Sequence, residues 1–334
     1  MHNLLDPAIL FFVFGVAAGT VKSNLEIPPP ISRFLSLYLL MALGLKGGFA
    51  LAKSGLTAEV LTTLGLAVML AIVVPMLAYQ LLKRFVSGYD AAAIAATYGS
   101  VSAVTFITSV QYLENQGVAY GGHMAAAMAL MESPAIVMAV LFANRLRHAP
   151  ASSAVMTGGG TLALGGPSPA RTSLGSLLHE SFTDGAQLLL LGAMLIGFLT
   201  GEAGQKTMAP FSIDLFKGML AFFLLDMGLL AARNLGELRG KSPWLLAYAI
   251  GAPLVHAALA LSLAAALHIG PGNGALLMAL AASASYIAVP AVLRYAIPEA
   301  KPSLYFGMSL GLTFPFNIII GIPLYAALAT RVLA

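Results

Sequence analysis

Two short stretches of this sequence carry hydroxyl side chains in otherwise apolar surroundings. They are YGSVSAVTF, residues 98–106, and AASASYIAVPAV, residues 281–292. Hydroxyl groups and unpaired backbone N–H groups donate hydrogen bonds to the oxygens of small anions. Five residues are therefore candidates for binding a substrate: Ser100, Ser102, Thr105, Ser283 and Ser285.

The composition indicates that membrane-spanning helices position these residues. Of the 334 residues, 59% are hydrophobic and only 9% are charged, whereas soluble domains carry about 25% charged residues. The alternating pattern of a β-barrel is absent, so we expect an all-α integral membrane protein. The chain has no cysteine, which excludes thiolate metal sites and cysteine nucleophiles. Because Walker, HExxH and GxSxG motifs are also absent, we expect neither an enzyme nor a cofactor, and no nucleic-acid partner.

Ten apolar segments predict ten transmembrane helices, numbered 1 to 10 along the chain. A polar connection rich in Gly, Pro and Ser, residues 145–183, separates the fifth segment from the sixth. The chain thus divides into a first five-helix repeat, residues 1–144, this linker, and a second five-helix repeat, residues 184–334. The segments are 8–22, 31–52, 58–82, 90–112, 120–144, 184–201, 212–233, 243–267, 273–296 and 302–330.

The two halves resemble each other in sequence. Pro30 and Gly48 fall 180 residues before Pro210 and Gly228, and YGSVSAVTF aligns with AASASYIAVPAV at an offset of 183. A repeat with an odd number of helices takes opposite orientations in its two copies, which is the inverted topology of secondary transporters. Interrupted helices near the bilayer midplane are typical of that architecture. We therefore predict that helices 4 and 9 are broken and cross each other.

Crossing broken helices would direct two helix N-termini at one place. Each N-terminus carries about half a positive charge, so such a place suits a small anion. Small residues in membrane helices also permit close packing, which is the competing explanation for any single serine. Two hydroxyl clusters at matching positions of the repeat favour binding over packing.

The charges in the connections predict an orientation. With ten alternating spans, twelve Lys and Arg residues fall on one side of the membrane and four on the other. The richer side is expected to be cytoplasmic. Both termini are then predicted to lie outside, with the linker 145–183 in the cytoplasm.

Nearly the whole chain resembles a known family. The segments that carry the resemblance are GLKGGFALAKSGL, YGSVSAVTF, MESPAIVMAVLFANR, LLDMGLLAARNL, APLVHA and ASASYIAVPAVLRYAIPEAKPSLYFGMSLGLTFPFNIIIGIPLY. This set is similar to the sodium-dependent bicarbonate transporters known from cyanobacteria. The chain departs from the family pattern at the second crossover, where Ser285-Tyr286 stands in place of a Ser-Ser-Asp context.

The resemblance implies a function and an assembly. It implies gate helices 1, 2, 6 and 7, core helices 3–5 and 8–10, and a homotrimer formed through the gate side. It also implies bicarbonate uptake coupled to sodium across the bacterial inner membrane by alternating access, with sodium as the coupling ion. A PII-like cytoplasmic regulator is a further implied partner.

Polar residues inside the predicted helices are additional candidates. An acid at the bilayer centre costs about 2 to 3 kcal/mol unless it faces a cavity, a cation or a partner, and Glu132 in helix 5 is such an acid. The matching segment LTFPFNIII carries Thr313 and Asn317, and all three residues are candidates for cation binding or site support. Lys46 and Asp226, which are offset by 180 residues, are predicted to form a structural charge pair.

Three functions remain open at this stage. The first is sodium-coupled transport of bicarbonate. The second is sodium-coupled transport of a small organic monocarboxylate, because Tyr286 would make a larger and less polar site. The third is a membrane sensor that binds an anion without transporting it and signals through the cytoplasmic linker.

Overall fold

The computed structural model describes residues 6–55, 57–147, 185–236 and 241–334. All regular structure in these ranges is helical. Seven of the helical stretches are long and apolar enough to cross a membrane. The predicted class, an all-helical multi-pass membrane protein, is therefore confirmed. The predicted linker lies outside the described residues, except for residues 145–147, which end a helix.

Twelve helices are numbered here in chain order. They are α1 Pro7–Thr20, α2 Pro29–Ser54, α3 Ala58–Leu82, α4 Gly88–Gly99, α5 Ala103–Asn115, α6 Met124–Arg147, α7 Gly185–Ala209, α8 Phe216–Leu235, α9 Pro243–Ala266, α10 Pro271–Ala282, α11 Ala288–Ala296 and α12 Pro302–Val332. Many begin with proline, which lacks only an N–H that has no partner in a first turn. The wider π-helical turns Gly307–Thr313 and Asn317–Gly321 interrupt α12.

Helix length does not give one membrane crossing per helix. Pro7–Thr20 and Pro271–Ala282 are shorter than the roughly 20 residues of a full crossing. Conversely, the continuous stretch Gly185–Leu235 has 51 residues, about 76 Å of helix, which exceeds one crossing. Within it, Gly201 adopts a non-helical conformation with φ of 52°. Ten crossings and an exact inverted repeat therefore stay predictions.

Two helix pairs approach closely through glycine. A Cβ atom added to Gly15 of α1 would lie 2.3 Å from the Leu225 carbonyl oxygen of α8. A Cβ atom added to Gly48 of α2 would lie 2.1 Å from the Met194 carbonyl oxygen of α7. Only glycine fits at such backbone distances, so small residues at these interfaces let α1 pack on α8 and α2 on α7.

One end of the molecule is marked by an ion pair between α6 and the connection after α11. Arg147 Nη2 lies 2.8 Å from Glu299 Oε2 and also donates to the Ala296 carbonyl at 3.0 Å. The neighbouring guanidinium lowers the pKa of Glu299, which lies outside the candidate spans, because it stabilises the carboxylate. We call this end the basic end.

The opposite end, called the far end, is held by polar contacts to the last turn of α5. Lys46 Nζ of α2 lies 3.0 Å from Glu114 Oε1. The Asn115 side chain accepts a hydrogen bond from Lys217 of α8 at 3.1 Å and donates one to Asp6, the cap of α1, at 2.8 Å. These contacts join α1, α2 and α8 to α5.

Candidate functional site

The structure brings the two hydroxyl-rich stretches into direct contact. The backbone N–H of Ser102 donates to Ser283 Oγ at 2.9 Å, and the N–H of Ser285 donates to the Thr97 carbonyl at 2.8 Å. Ser283 Oγ in turn donates to the Leu280 carbonyl at 2.8 Å. Residues about 180 positions apart in sequence therefore meet, once from backbone to side chain and once from backbone to backbone.

Both stretches interrupt a helix, as the sequence predicts. The backbone is extended at Ser100, which ends α4, and at Ser283, which ends α10. After each break a serine hydroxyl accepts from the first turn of the next helix: Ser102 Oγ from Thr105 N at 3.2 Å, and Ser285 Oγ from Val289 N at 3.3 Å. Serine suits this position because its side chain replaces the missing helical acceptor. The hydroxyls thus help to start α5 and α11.

A cavity of about 300 Å³ adjoins the two breaks. Its wall includes the starts of α5 and α11 together with parts of α2, α6, α7 and α8. The polar side chains among its lining residues are Ser36, Ser102, Glu132, Gln187, Ser285 and Tyr286. Since Ala186 of the first turn of α7 and Val292 of α11 also line it, the cavity extends from the breaks toward the basic end.

The electrostatics of this cavity favour an anion near the breaks. Ala103 and Val104 form the first turn of α5, and Ala288 begins α11; all three line the cavity. The first N–H groups of a helix have no acceptor within that helix, and the helix dipole places partial positive charge on them. Two such N-termini at one cavity form a site for an oxyanion.

Ser100 and Thr105 do not reach the cavity. Both are 1% exposed, and their hydroxyl oxygens have no hydrogen-bond partner within the described part of the chain. Neither is among the residues that line the cavity. Of the five predicted substrate residues, the structure therefore places Ser102 and Ser285 at the cavity, with Ser283 behind them as a bridge between the two breaks.

Glu132 lies in the cavity wall on α6. Gln187 Nε2, at the start of α7, donates a hydrogen bond of 2.6 Å to its carboxylate. This contact joins α6 to α7 across the cavity. It also places an acid close to the anion site, where a cation bound with the anion would have an oxygen ligand.

Thr313 and Asn317 are buried away from the cavity. Thr313 Oγ1 donates to the Ala249 carbonyl at 2.6 Å and lies 2.6 Å from the Tyr98 hydroxyl. Asn317 Nδ2 donates to the Ala282 carbonyl, the last of α10, at 2.8 Å. These contacts fix the residues just before each break, so the two side chains support the site from behind in this structure.

The predicted pair between Lys46 and Asp226 is not formed. Lys46 contacts Glu114 at the far end and lies 4.4 Å from the ring centre of Phe216, the first residue of α8. Asp226 follows Phe216 by ten residues, about 15 Å along α8, and accepts a hydrogen bond from Ser32 at the start of α2. The two side chains thus lie at different depths along α8, and the offset of 180 in sequence does not bring them together.

Sequence reasoning missed Gln187 and Ser36 as site residues. Gln187 follows directly on the predicted linker, and its one signal is a polar side chain in the first turn of an apolar helix. Ser36 of α2 is isolated between apolar residues and carries no motif. Both become recognisable only when α2 and α7 pack beside the breaks.

Replacing Glu132 tests whether its charge serves a cation. Glu132→Gln keeps the shape and the contact to Gln187 but removes the negative charge. If the charge does serve a cation, we expect the apparent affinity for a cation such as sodium to fall about tenfold and the apparent affinity for an anion to fall less, in binding measured across sodium concentrations. The matched control is Glu59→Gln, since Glu59 also accepts from an amide, Asn273 Nδ2 at 2.9 Å, but away from the cavity. An unchanged sodium dependence in Glu132→Gln would leave that residue a structural role only.

Comparison with known protein families identifies the family of the chain. A family model described as the Na+-dependent bicarbonate transporter superfamily matches residues 7–330 of the 334. No curated protein matches the chain.

Proposed function

The chain belongs to the Na+-dependent bicarbonate transporter superfamily, and from this premise we propose that it takes up bicarbonate together with sodium by alternating access. Because this family consists of transporters, the chain is a transport protein and not an enzyme. The observation that carries the proposal is the contact of two helix breaks, Ser102 to Ser283 and Ser285 to Thr97, at the wall of one cavity.

We propose the inverted repeat of five plus five helices as the architecture behind this site. The glycine contacts support it, because Gly15 packs beside Gly228 and Gly48 packs beside Gly197. Gly197 follows Gly15 by 182 residues and Gly228 follows Gly48 by 180, so the two contacts involve equivalent residues of the two halves. Both pairs pack parallel helices, α1 on α8 and α7 on α2. A pseudo-twofold axis that relates the two repeats would exchange these two contacts with each other.

The proposed orientation places the basic end in the cytoplasm. Two observations support this orientation. Twelve Lys and Arg residues are predicted on one side of the membrane and four on the other, and the helix ends of the structure divide between the basic end and the far end. Both termini would then lie outside the inner membrane. A C-terminal reporter that is active only in the cytoplasm should be silent, and a signal from it would contradict this orientation.

Alternating access is proposed because one end is closed and the cavity extends toward the other. At the far end, Lys46, Lys217 and Asp6 of the proposed gate bind Glu114 and Asn115 of the proposed core. These side chains are partly exposed, so each contact is weak and can break during a transport cycle. The anion would enter from the far end when these contacts open, and leave through the cavity.

The proposed sodium site is near Glu132, with no further cofactor. A sodium ion prefers oxygen ligands, and the side-chain oxygens at the cavity include the carboxylate of Glu132 and the hydroxyls of Ser102 and Ser285. A homotrimer through α1, α2, α7 and α8, and a PII-like regulator acting on the linker, complete the proposal. Exposed apolar side chains such as Phe14 of α1 and Leu199 of α7 suit contact with lipid or with another copy.

Uptake of labelled bicarbonate into proteoliposomes tests this function. We expect an inward sodium gradient to drive accumulation, and an equal potassium gradient to give none. A sensor would bind bicarbonate without accumulating it, so binding with no uptake under either gradient would favour sensing and overturn the transport proposal.

The hydroxyl of Ser102 is expected to contribute directly to anion affinity. Loss of a hydrogen bond to a charged group costs about 1.5 to 3 kcal/mol, so Ser102→Ala should weaken bicarbonate affinity about tenfold or more. Ser109→Ala is the matched control, because Ser109 is buried on the same helix and bonds only the Thr105 carbonyl at 2.7 Å among its described contacts. Equal affinities in the two variants would mean that the Ser102 hydroxyl only caps α5.

A further inference from the structure

We infer that the cavity also takes short aliphatic monocarboxylates, with the carboxylate at the two breaks and the hydrocarbon chain along the cavity. This inference rests on the proposed function, because it uses the same anion site. It is carried by three properties of the cavity: its volume, the chemistry of its wall, and the residue that follows Ser285.

The volume exceeds what bicarbonate fills. The cavity measures about 300 Å³, which is at the lower end of the roughly 300 to 1,000 Å³ of pockets that hold organic ligands. A water molecule occupies about 30 Å³ in the liquid. Bicarbonate, with one carbon and three oxygens, takes the place of only a few waters, so most of the space remains for other atoms.

The wall beyond the breaks is mostly apolar. Leu40 of α2, Ile107 of α5, Ile136 of α6, Leu190 of α7 and Phe223 of α8 come from five different helices and surround the cavity. Water beside such a wall gains little hydrogen bonding, and its displacement by a hydrocarbon chain is favourable in proportion to the area buried. The wall therefore adds affinity for an alkyl chain and none for bicarbonate.

Tyr286 places an uncharged aromatic side chain beside the second break. Its ring packs edge to face on Phe314 with centroids 5.2 Å apart, and its hydroxyl lies 3.6 Å from Met227 Sδ. The residue also lines the cavity, so a hydrocarbon chain bound there can pack against an aromatic surface. Glu132 is the acid in the wall, and its charge disfavours a second carboxylate on the ligand.

A chain-length series tests the inference on the unmodified protein. Acetate, propionate, butyrate and valerate would compete with labelled bicarbonate for sodium-driven uptake. We expect affinity to rise about fourfold per methylene, the ratio that corresponds to 0.8 kcal/mol, until the cavity is filled. Succinate should compete much less well than butyrate, and labelled butyrate should itself accumulate under the sodium gradient.

A variant of the wall gives an independent test. Ile107→Thr replaces the ethyl branch of the side chain by a hydroxyl in the apolar wall, so the ratio of butyrate affinity to bicarbonate affinity should fall about fourfold or more. Val110→Thr is the control, because Val110 is buried on the same helix and does not line the cavity; there the ratio should stay constant.

The outcomes separate this inference from the function on which it rests. Sodium-driven bicarbonate uptake with a flat chain-length series and no butyrate accumulation would overturn the inference and leave the transport proposal intact. Failure of bicarbonate and all the acids to accumulate would overturn both. A rising series with butyrate accumulation supports the inference.

Discussion

A disulfide between α2 and α6 at the far end should stop transport completely and reversibly. A Cβ atom added to Gly47 of α2 would lie 3.1 Å from Ala125 Cβ of α6 and 2.9 Å from the Gly122 carbonyl oxygen, so in Gly47→Cys with Ala125→Cys the backbone of α2 must move back from Gly122, which also brings the two Cβ atoms toward the 3.5 to 4.5 Å of a disulfide. The bond would tie the proposed gate to the proposed core and hold the far end closed. Uptake should fall to the background of empty vesicles after oxidation and return with reductant.

The native chain makes this experiment clean, because it contains no cysteine. Each single cysteine variant under the same oxidant is the control, and both should keep their uptake. If the cross-linked protein, verified by mass spectrometry, still transports at the rate of its reduced form, then α2 does not move relative to α6 at this place. The proposal that the gate and the core move relative to each other during alternating access would then be wrong.

The second large effect is expected from Gly48. In Gly48→Ala the new methyl group would lie 2.1 Å from the Met194 carbonyl oxygen and 2.7 Å from the Phe198 nitrogen, both backbone atoms of α7. The two helices would have to separate, and overpacking of this kind costs about 3 kcal/mol or more. We expect a sharply reduced yield of folded protein and a lower melting temperature.

Gly65→Ala is the matched control on α3. Apart from the neighbouring backbone of α3, no atom of the described part of the chain lies within 4 Å of an added Cβ at Gly65, and alanine favours a helix over glycine by up to about 1 kcal/mol. Its melting temperature should match or exceed that of the native protein. Equal melting temperatures for Gly48→Ala and native protein would show that α2 and α7 do not need this close approach.

The helix breaks could be predicted from the sequence because local chemistry determines them. Ser102 and Ser285 supply cap acceptors, and each stands within a hydroxyl cluster that recurs at a constant offset. The similarity of the two halves predicts that the breaks meet, and the structure brings Ser102 and Ser283 into contact. For these reasons the all-helical class and the contact between the two hydroxyl-rich stretches could be predicted from the sequence, whereas the role of that contact in binding stays a prediction.

Side-chain partners were not accessible in the same way. The offset of 180 predicts a pair between Lys46 and Asp226, but a sequence offset carries no information about depth along packed helices, and Lys46 contacts Glu114 instead. Asn317 is polar and near the second break, yet it faces the Ala282 carbonyl behind the cavity. Which face of a helix meets a cavity depends on packing with helices distant in sequence, and apolar membrane sequence carries little periodicity to reveal it.

The central claim, that the two breaks line one anion site, is tested most directly by cysteine protection. Ala103 and Ala288 begin α5 and α11 and line the cavity, so Ala103→Cys and Ala288→Cys place one thiol beside each break. Lys301→Cys, at an exposed position before α12, is the control for general changes in reactivity. The measurement is the rate at which a small charged thiol reagent modifies each variant, with and without sodium plus bicarbonate. We predict that sodium and bicarbonate, added together, slow the modification of both cavity thiols, and that the bicarbonate concentration needed for this protection is the same for the two thiols. The rate for the control thiol should not change. Protection of one thiol alone, or of neither in a protein that still transports, would contradict a single site shared by the two breaks.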